Sequence, residues 1–148
     1  MNPSDVRARV LAEHLWLSEK LTRLEGAAAG VLSGNWGDSA PLRERALNLC
    51  ESLSFHLATE DEILVPLLRD LDAWGEVRVE RVENDHQAQR AEIAELRRRA
   101  EEDAPVSLAR AVLSFAHALR ADMAHEEQMS LSRDLLRDDP ISINQLDG

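Results

Sequence analysis

Residues 56–68 read HLATEDEILVPLL, and the fold is decided by how this stretch is read. His56 and Glu60 stand four apart, so on a helix they project from one face a turn apart. Followed in both directions at spacings of three and four, the same face carries Ala46, Leu49 and Leu53 before His56, then Ile63 and Leu67 after Glu60. That is the helical period. No alternating β-branched run and no Asn-Gly or Asp-Gly hairpin turn competes with it.

The same period recurs three more times. A first helix, from about Ser4 to Glu25, shows Val10, His14, Leu17, Leu21 and Leu24, with Ser4 or Asp5 as N-cap. The Gly-rich stretch 26–40 ends it, with AAAGVL (27–32) able to extend it a little. The helix of residues 56–68 runs from Pro41 to about Ala73, with Pro66 inside. After a turn at Trp74-Gly75, a third helix from about Glu76 to Glu102 shows Val79, Val82, His86, Gln89, Ile93 and Leu96. A fourth, from Pro105 to about Arg137, shows Leu108, Val112, Phe115, Leu119, Asp122 and Glu126. Four helices joined by short turns, one apolar stripe each, predict an all-α protein: an antiparallel up-down-up-down four-helix bundle over residues 1–140, with 141–148 as a tail. Hairpins that complete a bundle only as a dimer are the alternative.

Composition bounds what such a bundle does. The 148 residues include 17 Lys and Arg against 28 Asp and Glu, a net charge of −11. That argues against nucleic acid and against an anionic membrane surface as partners. No apolar run approaches the roughly 20 residues that span a bilayer. Residues 1–9 lack the apolar segment of a signal peptide, and the lone Cys50 excludes an intrachain disulfide. The expected location is the cytoplasm. Cys50 reads as a small buried apolar residue, and Trp36 and Trp74 read as caps of the bundle or dimer contacts. Tyr is absent, which excludes tyrosinate ligation. No nucleotide fingerprint or Gly-rich phosphate loop is present.

Six of the stripe positions are ionisable: His14, His56, Glu60, His86, Asp122 and Glu126. Buried charge costs several kcal/mol unless paired or metal-bound, and no Lys accompanies them on the stripes. Three imidazoles and three carboxylates together suit iron, manganese or zinc. Pairs from two helices plus single ligands from the others form the bundle-core recipe for a two-metal carboxylate site. The halves of the chain also align: residues 56–68 lie over DMAHEEQMSLSRD (122–134) at an offset of 66, and Glu13-His14 over Asp85-His86 at an offset of 72. The chain reads as two copies of one helical hairpin, with the site on a pseudo-twofold axis.

These residues resemble the hemerythrin-like HHE cation-binding domain family over about Val6 to Leu136, most strongly in HLATEDEILVPLL. The resemblance implies an antiparallel four-helix bundle around two non-haem iron ions. His14, His56, Glu60 and His86 would be ligands, with Glu126 as the second bridging carboxylate, followed by a typical second acid, Glu127. It further implies binding of, or reaction with, O2, NO or peroxide, by a monomer or homodimer. The fourth helix departs from the family pattern. Asp122 stands where the family usually has His, and QMSLS (128–132) replaces an acid-rich stretch ending in Leu-Pro. A frame using Asp122 and Glu126 competes with one slid by three, using His125 and Met129. The stripe through Leu108, Val112, Phe115 and Leu119 favours the first. His117, in the five-residue spacing to Asp122, lies about 200° around the helix from Phe115. The added carboxylate would favour the oxidised metal over reversible oxygen carriage, and allows a one-metal or manganese site. The runner-up function is a helical interaction or structural module with a degenerate or single-metal site.

Overall fold

The computed structural model describes residues 1–139; the expected tail at 141–148 lies outside them. Four helices account for most of that length: α1 (Pro3–Leu32), α2 (Ser39–Leu71), α3 (Gly75–Glu102) and α4 (Pro105–Gln128), with a single 3-10 turn, Trp36–Asp38, between α1 and α2. Among the described residues there is no strand. Cross-helix bonds fix the register. Along α1 and α2, Lys20 meets Asn48 while Arg45 reaches the Arg23 carbonyl. Along α2 and α3, Asp61 meets His86 and Cys50 meets Ile93. Along α1 and α4, Arg120 reaches Glu25 while His14 meets Glu126. In each pair the numbers rise on one helix as they fall on the other, so neighbouring helices run in opposite directions.

Two boundaries differ from the sequence reading. α1 continues through Gly26 and Gly30 to Leu32 because Ala27, Ala28 and Val31 extend its buried face. Burial of that face outweighs a propensity cost of about 1 kcal/mol per glycine. At Gly30 a Cβ would run into the Asp38 carboxyl, so a larger residue there would require the Asp38 side chain of the 3-10 turn to move aside. α4 stops at Gln128, not near Arg137. The chain then turns back on itself, Leu131 N–H donating to the Glu126 carbonyl at 3.0 Å, and buries Leu131 and Leu136 against Val6, Val10, Leu64 and Leu68. The segment ends by capping α1. No side chain caps that helix locally; instead Asp138 accepts from Ser4 N–H at 3.0 Å and from its hydroxyl at 2.6 Å. A carboxylate there satisfies an orphan donor and complements the helix dipole.

The apolar core comes in two parts. One is built from Leu17 to Val31 of α1, Leu42 to Leu57 of α2, the Ile93–Ala100 turns of α3 and Leu108 to Met123 of α4. The other gathers Val6, Val10, Leu64, Val65, Leu68, Val79, Val82, Leu131 and Leu136. On every helix the residues between the two parts are polar: Glu13 and His14, His56 and Glu60, His86, and Glu126. The bundle thus holds a polar layer between two apolar blocks. Trp36 and Trp74 are exposed and cap neither block. No described helix is long and apolar enough to cross a membrane.

Candidate metal centre

Each helix delivers one part of the layer. α2 supplies its middle: His56 and Glu60, one turn apart, are both buried. Glu60 is 1% exposed and is contacted on both sides. Its Oε1 lies 2.9 Å from His56 Nε2 and 3.8 Å from His14 Nε2. Its Oε2 accepts from His86 Nε2 at 2.7 Å. α4 adds Glu126, whose Oε1 lies 3.0 Å from His14 Nε2. One donor atom from each of His14, His56, Glu60 and Glu126 lies within 4.8 Å of all the others. The His14 and His56 rings are tilted by 60° with centroids 5.1 Å apart.

The fit to a cation is tested by the hydrogen bonds. Despite these short distances, His14 Nε2 and Glu60 Oε1 are buried and make no hydrogen bond. Buried polar atoms are nearly always satisfied. Atoms that converge on a common point without aligning on each other are placed as ligands are placed. The donor set, imidazole nitrogen and carboxylate oxygen, suits iron, manganese or zinc.

A carboxylate also anchors the outer nitrogen of every buried imidazole. His56 Nδ1–H donates to Glu13 at 2.9 Å, His14 Nδ1–H to Glu127 at 3.1 Å, and His86 Nδ1–H to Asp61 at 2.8 Å. Such a bond fixes the tautomer and turns Nε2 towards the centre. Arg9 holds Glu13 in turn at 2.9 Å, and Arg90 pairs with Asp61. Sequence reasoning missed these three anchors as functional residues. The signal was adjacency: Glu13, Asp61 and Glu127 each neighbour a stripe residue, and Asp61 and Glu127 align at the offset of 66.

The electrostatics follow from crowding. Burial works against charge on His14, but Glu126 and Glu60 outweigh it, and the imidazole is raised to about 10. Burial likewise opposes charge on His56 and His86, yet the Glu60 carboxylate raises both. Burial alone would raise Glu60, but the three imidazoles hold it well below the usual carboxylate range. Glu126 is pushed up to about 7 by burial and the Glu60 charge, against the pull of His14. Without a metal the layer therefore balances its carboxylates with imidazolium protons.

The remaining sequence candidates stand apart. Asp122 is exposed, not on the core side, and its nearest polar partner is Gln89 Nε2 at 3.5 Å. The buried stripe of α4 runs through Ala109, Val112, Ala116, Leu119 and Met123, so Met123 takes the inward place expected of Asp122. Both stripes share Leu108, Val112, Leu119 and Glu126, and periodicity alone does not separate them. α2 rotates similarly: Leu64, Val65 and Leu68 are buried, while Ile63 and Leu67 are half-buried flanks. His117 and His125 are exposed. Cys50 is buried, its thiol pushed up to about 11 by burial, and offers no reactive thiolate.

The internal repeat is visible in the bonds. His14 meets Glu126 and Glu127 with its two nitrogens, and His86 meets Glu60 and Asp61 with its own. The offsets of 72 and 66 exchange these sets. A four-helix bundle with a His and carboxylate layer of this kind has the donors to hold a cation. The chain matches the family described as Hemerythrin HHE cation binding domain over residues 5–132, and belongs to it. No curated protein and no solved structure matches it significantly.

Proposed function

We propose that this protein is a non-haem di-iron protein of hemerythrin type that binds or reacts with O2, NO or peroxide. The observation that carries the reading is a pair of buried atoms at the centre of the layer, His14 Nε2 and Glu60 Oε1, that make no aligned hydrogen bond although ionisable groups stand within 3.0 Å of each. His14, His56, Glu60, His86 and Glu126 are the proposed ligands. Glu60 is suited to bridge, since its two oxygens face different imidazoles. When bound, the metal pair supplies the redox chemistry and the open position for a small ligand. The chain's own residues do the rest. Glu13, Asp61 and Glu127 hold protons on the three Nδ1 atoms, keeping Nε2 free for metal. The two apolar blocks restrict water on either side. In this reading the protein acts in the cytoplasm as a monomer or homodimer, with neither nucleic acid nor membrane as partner.

A single-metal site is the second reading. It is favoured by one observation: the donors within mutual reach are four, and Asp122 is not among them. Manganese and zinc suit the same donors. Anaerobic loading with Fe2+, followed by titration with NO and separately with H2O2, tests the proposal. Saturation at two iron equivalents, with visible absorption that changes on adding either ligand, is expected. Saturation at one equivalent supports the second reading, and an unchanged spectrum contradicts ligand handling.

A further inference from the structure

The repeat that relates the two halves of the centre breaks at one place. In the first half Glu13 and His56 pair and are buried. Their counterparts in the second half, by the same offsets, are Asp85 and Asp122. Two acids cannot pair as Glu13 and His56 do, and both are exposed. Where the first half is closed, the second opens into a pocket of about 260 Å³ between α3 and α4. Asp85, Gln89, Glu92, Asp122 and His125 line it, and so does Glu126.

We infer that this pocket is the port through which the metal cation reaches the centre, with Asp85, Glu92 and Asp122 drawing it in. The inference rests on the proposed centre. Three observations carry it. Glu126 belongs both to the pocket and to the ligand cluster. At 20% its side chain is the most exposed of the cluster, the other three lying at 1–5%, and behind it stands the unpartnered His14 Nε2. The charge is one-sided. Asp85, Glu92 and Asp122 form no ion pair with Lys or Arg among the described residues, and Arg81 is the lone cationic side chain on the wall. Glu92 is raised first by its partial burial and further by the Asp122 charge beside it. Acid-lined clefts with low-dielectric walls concentrate cations and speed their entry by tenfold or more. The same field disfavours anions.

The test is the time course of Co2+ uptake by the full chain after chelation, followed by visible absorption at low and high salt. Asp85→Asn combined with Glu92→Gln should slow uptake about tenfold at low salt and flatten the salt dependence. It should leave the final equivalents unchanged. Ala88→Trp, which fills the pocket from its wall, should slow uptake at both salt concentrations. Uptake within twofold of wild type in both variants, with full final occupancy, overturns the port while the centre stands. Loss of final equivalents in the double variant, with helical content intact, makes Asp85 or Glu92 a ligand and also overturns it. A wild-type chain that takes up no Co2+ overturns the centre and the port with it.

Discussion

At the scale of single residues, the account assigns unequal weight to side chains that look alike in sequence. Glu126 faces His14 at 3.0 Å, while His125, one residue before, is exposed. Glu126→Ala should lose most bound metal, and His125→Ala should keep it; elemental analysis of the two, purified side by side, is the check. The reverse result would move the α4 ligand one residue back, to His125. Asp122→Asn should retain full occupancy at equilibrium. Asp61→Ala frees the outer nitrogen of His86 and should weaken metal binding about 10–100-fold, as loss of such anchors does, with Asp61→Asn recovering part of it. Protonation gives a further test on the metal-free protein. His14 and Glu126 are both raised, to about 10 and about 7. The folded chain then binds more protons than the unfolded one above their ordinary values. Their contribution to stability is full below those values and is lost as pH rises through the folded ones. Glu60, held low, has the opposite sign and matters only at acid pH. Metal competes with the same protons, so its affinity should rise over this range. The gap in melting temperature between metal-loaded and metal-free protein should widen from pH 6 to 9, as thermal unfolding at fixed metal concentration would show. A constant gap would contradict the assignment.

At the scale of the element, the two ends of the bundle depend on close approaches. A Cβ at Gly75 would meet the backbone carbonyls of Leu68 and Arg69, which cannot move aside as a side chain can. Gly75→Ala should therefore destabilise by more than the few tenths of a kcal/mol usual at a surface. Leu131, fully buried in the segment after α4, should cost about 2–5 kcal/mol as Leu131→Ala, read by denaturant midpoint. These elements also show what the sequence makes legible. Four helices, and the mid-helix positions of His14, His56, Glu60 and His86, follow from spacing, because these residues stand in phase with the apolar stripes of their helices. The stop at Gln128 does not, because Leu131 and Leu135, four apart, fit a helical spacing while the segment packs in a fold-back. Nor does the inward residue of α4. Asp122 and Met123 fit stripes that share Leu108, Val112, Leu119 and Glu126, and only the packed neighbours choose between them. The carboxylate anchors are tertiary pairs 25 to 113 residues apart, visible in sequence as adjacent acids without a stated partner.

At the scale of the molecule, a polar layer interrupts what would otherwise be one apolar core. Without metal, that layer is a set of crowded carboxylates and imidazoles balanced by protons. With metal, the ion would supply the balance and tie α1, α2 and α4 to one point, with His86 of α3 joined through Glu60. Stripping the metal should lower the melting temperature well below that of the loaded protein, since a ligand that binds only the folded chain stabilises it by mass action. Glu60 is the residue on which this depends most, standing between His56 and His14 on one side and His86 on the other. The most direct measurement is the metal content of wild type against Glu60→Gln, which keeps the shape but removes the charge, both from iron-replete expression and matched for helical content by circular dichroism. The account predicts two iron equivalents per wild-type chain and a severe loss in the variant. A folded wild-type chain without metal, or a Glu60→Gln chain that holds as much as wild type, would contradict it.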